Sequence, residues 1–185
     1  MKDIIKLRKI IYKLLKEEIL NEVKVNPVVP AGGFEYFTIN NKESQYAFQT
    51  KNKNIYILSL IKTTMFIRDE NVLETYQEKN TINKDGSLNF ITINFFLSED
   101  KPDKSAFKNE TGKREPFTIL SNIVYLLQNE YFPNTTENCF VFPADPKRTI
   151  LYENALENFE NNFYVFQSEF YDNSFDEKQM LLIRR

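Results

Sequence analysis

A short apolar strand runs straight into a segment built to start a helix, and that join leaves few folds open. Residues 138–143 read NCFVFP and residues 145–154 read DPKRTILYEN. Asp145 can accept hydrogen bonds from the first free N–H groups of a helix. Pro146 suits the first helical position, where no donor is needed. Ile150, Leu151, Ala155, Leu156 and Phe159 then recur at helical spacing, which predicts a strand over Asn138–Phe142 and a helix over Pro146–Glu160. A strand, a tight corner and an amphipathic helix must share one core, so the helix lies on a sheet.

The preceding chain supplies the rest of that sheet. Glu35–Asn40, Ser44–Thr50 and Asn54–Phe66 read as consecutive antiparallel strands, with Asn40-Asn41 as a tight turn. Ile55 to Ile61 is apolar on both faces and belongs in the sheet interior. Asp69 to Gly86 is polar, and Asp85-Gly86 signals a turn into the strand Ser87–Leu97. Ser98–Pro116 is a charged connection, longer than compact domains usually carry without a functional reason. Phe117–Tyr131 is a helix buried through Phe117, Leu120, Val124, Leu127 and Tyr131, opened by Pro116 and closed by Pro133. Two closing strands, Asn162–Phe170 and Gln179–Ile183, complete an α+β domain over residues 27–185. Its sheet is mixed but largely antiparallel, with two helices packed on it.

Residues 1–26 form a separate arm. Ile4, Leu7, Ile11, Leu14 and Leu15 make one stripe of a helix over Lys2–Val23, and Pro27–Gly33 breaks it from the domain. Lys2, Lys6, Arg8, Lys9, Lys13 and Lys16 crowd its front, ahead of Glu17, Glu18 and Glu22. That order opposes the helix macrodipole, at a small cost per exposed charge. It fits a helix docked on a negative partner, or one self-assembling with copies of itself; packing on its own domain with a solvated basic face is the simpler alternative.

Composition removes several chemistries. The chain has no histidine and one cysteine. Ser-His-Asp and Cys-His nucleophile systems are impossible, as are His-ligated metal sites and zinc–thiolate sites. An all-oxygen Mg²⁺ or Ca²⁺ site would have to use Ser98, Glu99, Asp100 and Asp103, which lack EF-hand spacing and read as a solvated acidic turn. No metal site is therefore expected. Cys139, inside a strand, reads as a small buried thiol. A net charge of −2 offers no global field to nucleic acid or an anionic membrane. No leader or membrane-spanning stretch is recognisable, so a cytoplasmic protein is expected, in the host cytoplasm or the virion if it is phage-encoded.

The second half runs strand, loop, helix, strand, helix, strand, strand, and its second helix carries Leu151-Tyr152. Over roughly residues 87–183 this resembles the GCN5-related N-acetyltransferases (the GNAT fold). The resemblance implies acetyl-CoA as cofactor, with Tyr152 protonating the departing thiolate. It implies pyrophosphate contacts from the loop at Gly112, Lys113 and Arg114, and Glu99 as the base. The sequence departs from the family at several points. Asp145 stands where the family has Asn, Arg148 where it has Ala, and Leu156-Glu157 where it has Gly-Phe. The loop has one glycine, Pro116 removes a donor, and Glu110 and Glu115 repel a diphosphate. The strand Ser87–Leu97 holds no carboxylate. Arg148-Thr149-Ile150-Leu151-Tyr152 also resembles a block in small proteins of phages and Bacteroidetes-type genomes.

These departures point to a non-enzymatic binding or structural protein on a degenerate acetyltransferase-like scaffold, with no cofactor; the phage resemblance implies a phage-encoded part of an assembly. Its partner-binding residues would be Lys2, Lys6, Arg8, Lys9, Lys13, Lys147 and Arg148. The alternative is an acyl-CoA-dependent N-acyltransferase. A second alternative is a nucleic-acid or defence-system accessory using the same basic residues, with Tyr12 or Tyr152 for stacking.

Overall fold

A computed structural model describes residues 27–30, 32–98, 116–144, 149–169 and 178–185. The expected helix Lys2–Val23, the connection after Ser98 and the corner residues Asp145–Arg148 lie outside the described residues. The elements run β1 (Phe34–Asn40), β2 (Glu43–Gln49), β3 (Ile55–Met65), α1 (Glu70–Gln77), β4 (Leu88–Leu97), α2 (Pro116–Leu126), β5 (Cys139–Ala144), α3 (Thr149–Leu156), β6 (Phe163–Glu169) and β7 (Lys178–Arg184). All seven strands form one sheet in the order β1-β2-β3-β4-β5-β7-β6. Every pairing is antiparallel except β4 with β5. The fold is therefore α+β with a mixed, mostly antiparallel sheet.

The hydrophobic pattern sets the register. The strand β3 runs beside β4 from Tyr56↔Leu97 to Met65↔Leu88 without interruption. Tyr56, Leu58 and Leu60 then share a face with Ile91, Ile93 and Leu97, and α2 and α3 cover that face. The opposite face carries Leu88, Phe90, Cys139, Val141, Leu181 and Ile183, packed with Val72 and Tyr76 of α1. A slip of one residue would exchange the two sets, so burial on both faces fixes the alignment.

Three helices are described where the sequence predicts two for the domain. The helix α1 falls inside the stretch read as polar. Only Val72 and Tyr76 of its eight residues are buried, one turn apart, which is too thin a stripe to stand out. Its start was legible in principle. The Oδ1 atom of Asp69 accepts from the backbone N–H groups of Asn71 at 3.0 Å and Val72 at 3.4 Å. Tyr76 ties the helix to the sheet, its hydroxyl accepting from the N–H of Asn89 at 2.9 Å.

The helix expected over Phe117–Tyr131 changes character along its length. Regular α geometry ends at Leu126, a π-turn spans Leu127–Tyr131, and a 3₁₀ turn covers Phe132–Asn134 with Pro133 inside it. Phe117, expected in the buried stripe, is more than one-third exposed. Phe132 sits at the centre of an aromatic cluster, its ring centroid 4.8 Å from Phe140, 5.2 Å from Phe159 and 4.6 Å from Phe163. Such pairs add about 0.5–1.5 kcal/mol each beyond the area they bury. The guanidinium of Arg184 closes the cluster, stacked 5.5 Å from Phe163 and donating to the carbonyl of Phe132 at 3.0 Å.

Candidate functional site

Two regions can be weighed as a working site: the seam where β4 meets β5, and a cleft beside the edge of the sheet. The seam follows from topology. The parallel strands β4 and β5 pair only at Ile91↔Phe140 and Thr92↔Val141, although β4 continues to Leu97 and β5 to Ala144. Beyond Thr92 and Val141 the strands are no longer partners. Asn94 lies two residues past that last pair, as Pro143 does on β5, and Gln179 is the β7 partner of Pro143. The side-chain oxygens of Asn94 and Gln179 are buried without a hydrogen-bond partner. A buried amide oxygen left unsatisfied is costly, and here two occur on one row of the sheet.

Tyr152 belongs to α3 on the other face of this region. It is only 2% exposed and sits in the main apolar core. Its ring meets Phe95 edge-on at 6.1 Å. The space left beside it, among Leu120, Ile123, Phe142 and Leu156, is about 10 Å³. That is room for one water at most, and its walls are apolar. A proton donor must come within about 3 Å of the atom it serves, and the space beside this ring is too small to admit a substrate. The other residues singled out from sequence, Glu99, Gly112, Lys113, Arg114, Lys2, Lys6, Arg8, Lys9, Lys13, Lys147 and Arg148, lie outside the described residues.

The second region was not anticipated. A cleft of about 310 Å³ opens between the β1–β2 hairpin and the π-turn, lined among others by Tyr36, Thr38, Lys42, Glu43, Lys62, Tyr131 and Glu137. Register builds one wall: Tyr36 pairs with Tyr46 across β1 and β2, their ring centroids 4.9 Å apart. The π-turn builds the other by carrying Tyr131, whose ring meets Tyr46 edge-on at 6.4 Å and Phe140 at 6.0 Å. Turns of this kind are rare and concentrate at functional sites. The Nζ of Lys62 stands 2.9 Å from Oε1 of Glu137 at the lining, so this cation is already paired. A row of aromatic rings thus runs from the sheet edge into the core, with polar groups along the rim.

Two protons are held tightly nearby. Burial pushes the Tyr131 phenol from 10.0 up to about 12; the Thr135 hydrogen bond opposes the rise, and repulsion from Glu137, Tyr46 and Tyr36 adds to it. Burial also pushes the Cys139 thiol from 9.0 up to about 12, with Glu137 adding to the rise and Asn80 opposing it. Cys139 is buried as the sequence predicts. At neutral pH it is a protonated thiol, the form that does not attack electrophiles.

The sign of the pH effect follows. The unfolded chain releases these protons from about pH 9 and 10 upward, while the folded chain keeps them to about 12. Stability contributed by the two groups is complete below about pH 9 and is lost as pH rises toward 12. The urea midpoint should therefore hold between about pH 7 and 8.5 and fall steadily by pH 11. A midpoint unchanged at pH 11 would contradict burial of these groups.

No group of three or more His, Cys, Asp or Glu side chains among the described residues is placed to hold a metal ion. No described helix is long and apolar enough to cross a membrane. In comparisons with protein-family models, curated proteins and solved structures, nothing matches the chain.

Proposed function

We propose that this chain is a non-enzymatic binding protein on an acetyltransferase-like scaffold, and that the tyrosine-walled cleft is its recognition surface. The observation that carries the reading is the contrast between two tyrosine environments. Tyr152, which an acyl-transfer mechanism would need at the reacting thioester, is packed among apolar side chains. Tyr36 and Tyr131 instead face an open concavity with polar groups around it. Tyrosine suits recognition because it offers a large, stiff contact area with a polar tip. The scaffold reading rests on the sequence resemblance over roughly residues 87–183. Lys2, Lys6, Arg8, Lys9, Lys13, Lys147 and Arg148 remain the proposed contacts to a protein partner.

A second reading, an acyl-CoA-dependent N-acyltransferase, is favoured by one observation: the early end of β4–β5 pairing beside the unsatisfied oxygens of Asn94 and Gln179. Such a seam could take a ligand that donates hydrogen bonds. Thermal-shift titration with acetyl-CoA and with free CoA separates the two. A ligand at about a hundred times its Kd stabilises the native state by about 2.7 kcal/mol. For a domain of this size that raises the Tm by roughly 5–10 °C. We expect no shift at millimolar ligand. A saturable shift would overturn the non-enzymatic reading and favour the transferase.

A further inference from the structure

The strand β1 is the outermost of the sheet and pairs with β2 alone among the described residues. An unpaired edge presents a row of free N–H and C=O groups, and natural sheets blunt such edges with lysine, proline or short strands. This edge has seven residues, FEYFTIN, with neither lysine nor proline. Its side chains are unusually apolar for their exposure: Tyr36 is 57%, Phe37 37% and Ile39 54% exposed. Val28 and Val29, just before it, are also exposed. Clustered apolar exposure of this kind marks a contact surface rather than ordinary scatter.

We propose that β1 pairs antiparallel with β1 of a second copy of this chain, joining two sheets across a two-fold axis at Phe37. Charge and length select the occupant and the register. Pairing centred on Phe37 is the antiparallel register that overlaps all seven residues. It sets Phe37 against Phe37, Tyr36 against Thr38, and Glu35 against Ile39. Glu35 is the strand's only charged residue. In this register the two glutamates stand four residues apart along the strand, roughly 14 Å, beyond the roughly 8 Å over which exposed charges interact at physiological salt. Sliding the pairing to bring Glu35 opposite Glu35 would be repulsive. The irregularity of β1 lies between Thr38 and Asn40, outside the three central pairs.

The same register sets the second copy's Tyr36 across from Thr38, on the rim of the tyrosine cleft. The pairing does not depend on that cleft being a binding site. Two seven-residue strands make a contact near or below the roughly 1,200 Å² of small stable interfaces, so association is reversible, with a Kd in the micromolar range.

The test is sedimentation of the full chain over a concentration series from about 5 to about 500 µM, with two single variants. Phe37→Lys places two ammonium groups directly opposite each other and should weaken association at least about tenfold. Thr38→Lys lies within the regular central pairs, faces the Tyr36 ring of the second copy, which accommodates a cation, and should cost association less than Phe37→Lys does. Both positions are exposed, so circular dichroism should report unchanged folding. A wild-type chain that stays monomeric throughout overturns the proposal. So does association that survives Phe37→Lys, which would put the contact elsewhere, residues 1–26 included. Equal loss in both variants would overturn the register.

Discussion

Phe140→Ala is expected to remove about 3–5 kcal/mol of folding stability, out of a total of about 5–15 kcal/mol for a domain. The residue is fully buried. Its ring contacts Phe132, Tyr131 and Phe163, at 4.8, 6.0 and 5.8 Å. It also sits in one of the two residue pairs that join β4 to β5. Truncation therefore opens a cavity where the sheet has the fewest alternative contacts. Urea denaturation would read the loss as a large fall in midpoint with little change in slope. Phe66→Ala is the control, since Phe66 is mostly exposed and should cost no more than about 0.5 kcal/mol. A loss below about 1 kcal/mol at Phe140 would mean that the aromatic cluster is not the organising core.

Substitutions at Tyr152 should separate packing from chemistry. Tyr152→Ala should cost about 3–5 kcal/mol, because the ring fills the space between Phe95, α2 and the sheet. Tyr152→Phe keeps the ring and should cost about 1 kcal/mol, the usual value of one hydroxyl interaction. A tyrosine serving as proton donor gives the opposite signature. The phenylalanine variant would then be as stable as wild type, while acetyl transfer to an amine fell by two orders of magnitude or more. Measuring urea stability and transfer on both variants decides the role of the side chain.

Periodicity located most of the frame. All seven strands lie within a residue or two of the predicted runs, because alternating or continuous apolar residues leave few choices. The early strands pair in sequence order, as expected of consecutive antiparallel strands. Where the apolar signal thinned, the reading failed. The helix α1 buries only two side chains, so its residues read as a polar connection. The π-turn at Leu127–Tyr131 keeps the apolar spacing of an α-helix closely enough that no composition rule distinguishes it. The tyrosine cleft was illegible for a different reason. Tyr131 is far in sequence from the hairpin pair Tyr36 and Tyr46, and only the β1–β2 register together with the π-turn brings the three rings into one row. Tyr152 was visible, but a tyrosine on an amphipathic helix has the same spacing whether it fills a core or faces a substrate.

The order β5-β7-β6 has a consequence for how the chain assembles during synthesis. The strands β1 to β4 form a meander of neighbours and can fold once Leu97 has emerged. The second half cannot, because its middle strand is β7, the last of the described strands. Until Lys178–Arg184 inserts, β5 is held by its two residue pairs with β4 alone, and β6, with Phe163, has no strand beside it. The nascent protein thus waits with a sticky, half-built sheet that only β7 can close. Such an intermediate is the stage at which misassembly competes with folding, and it ties the protein's yield in a cell to the speed with which β7 is delivered to its place between β5 and β6.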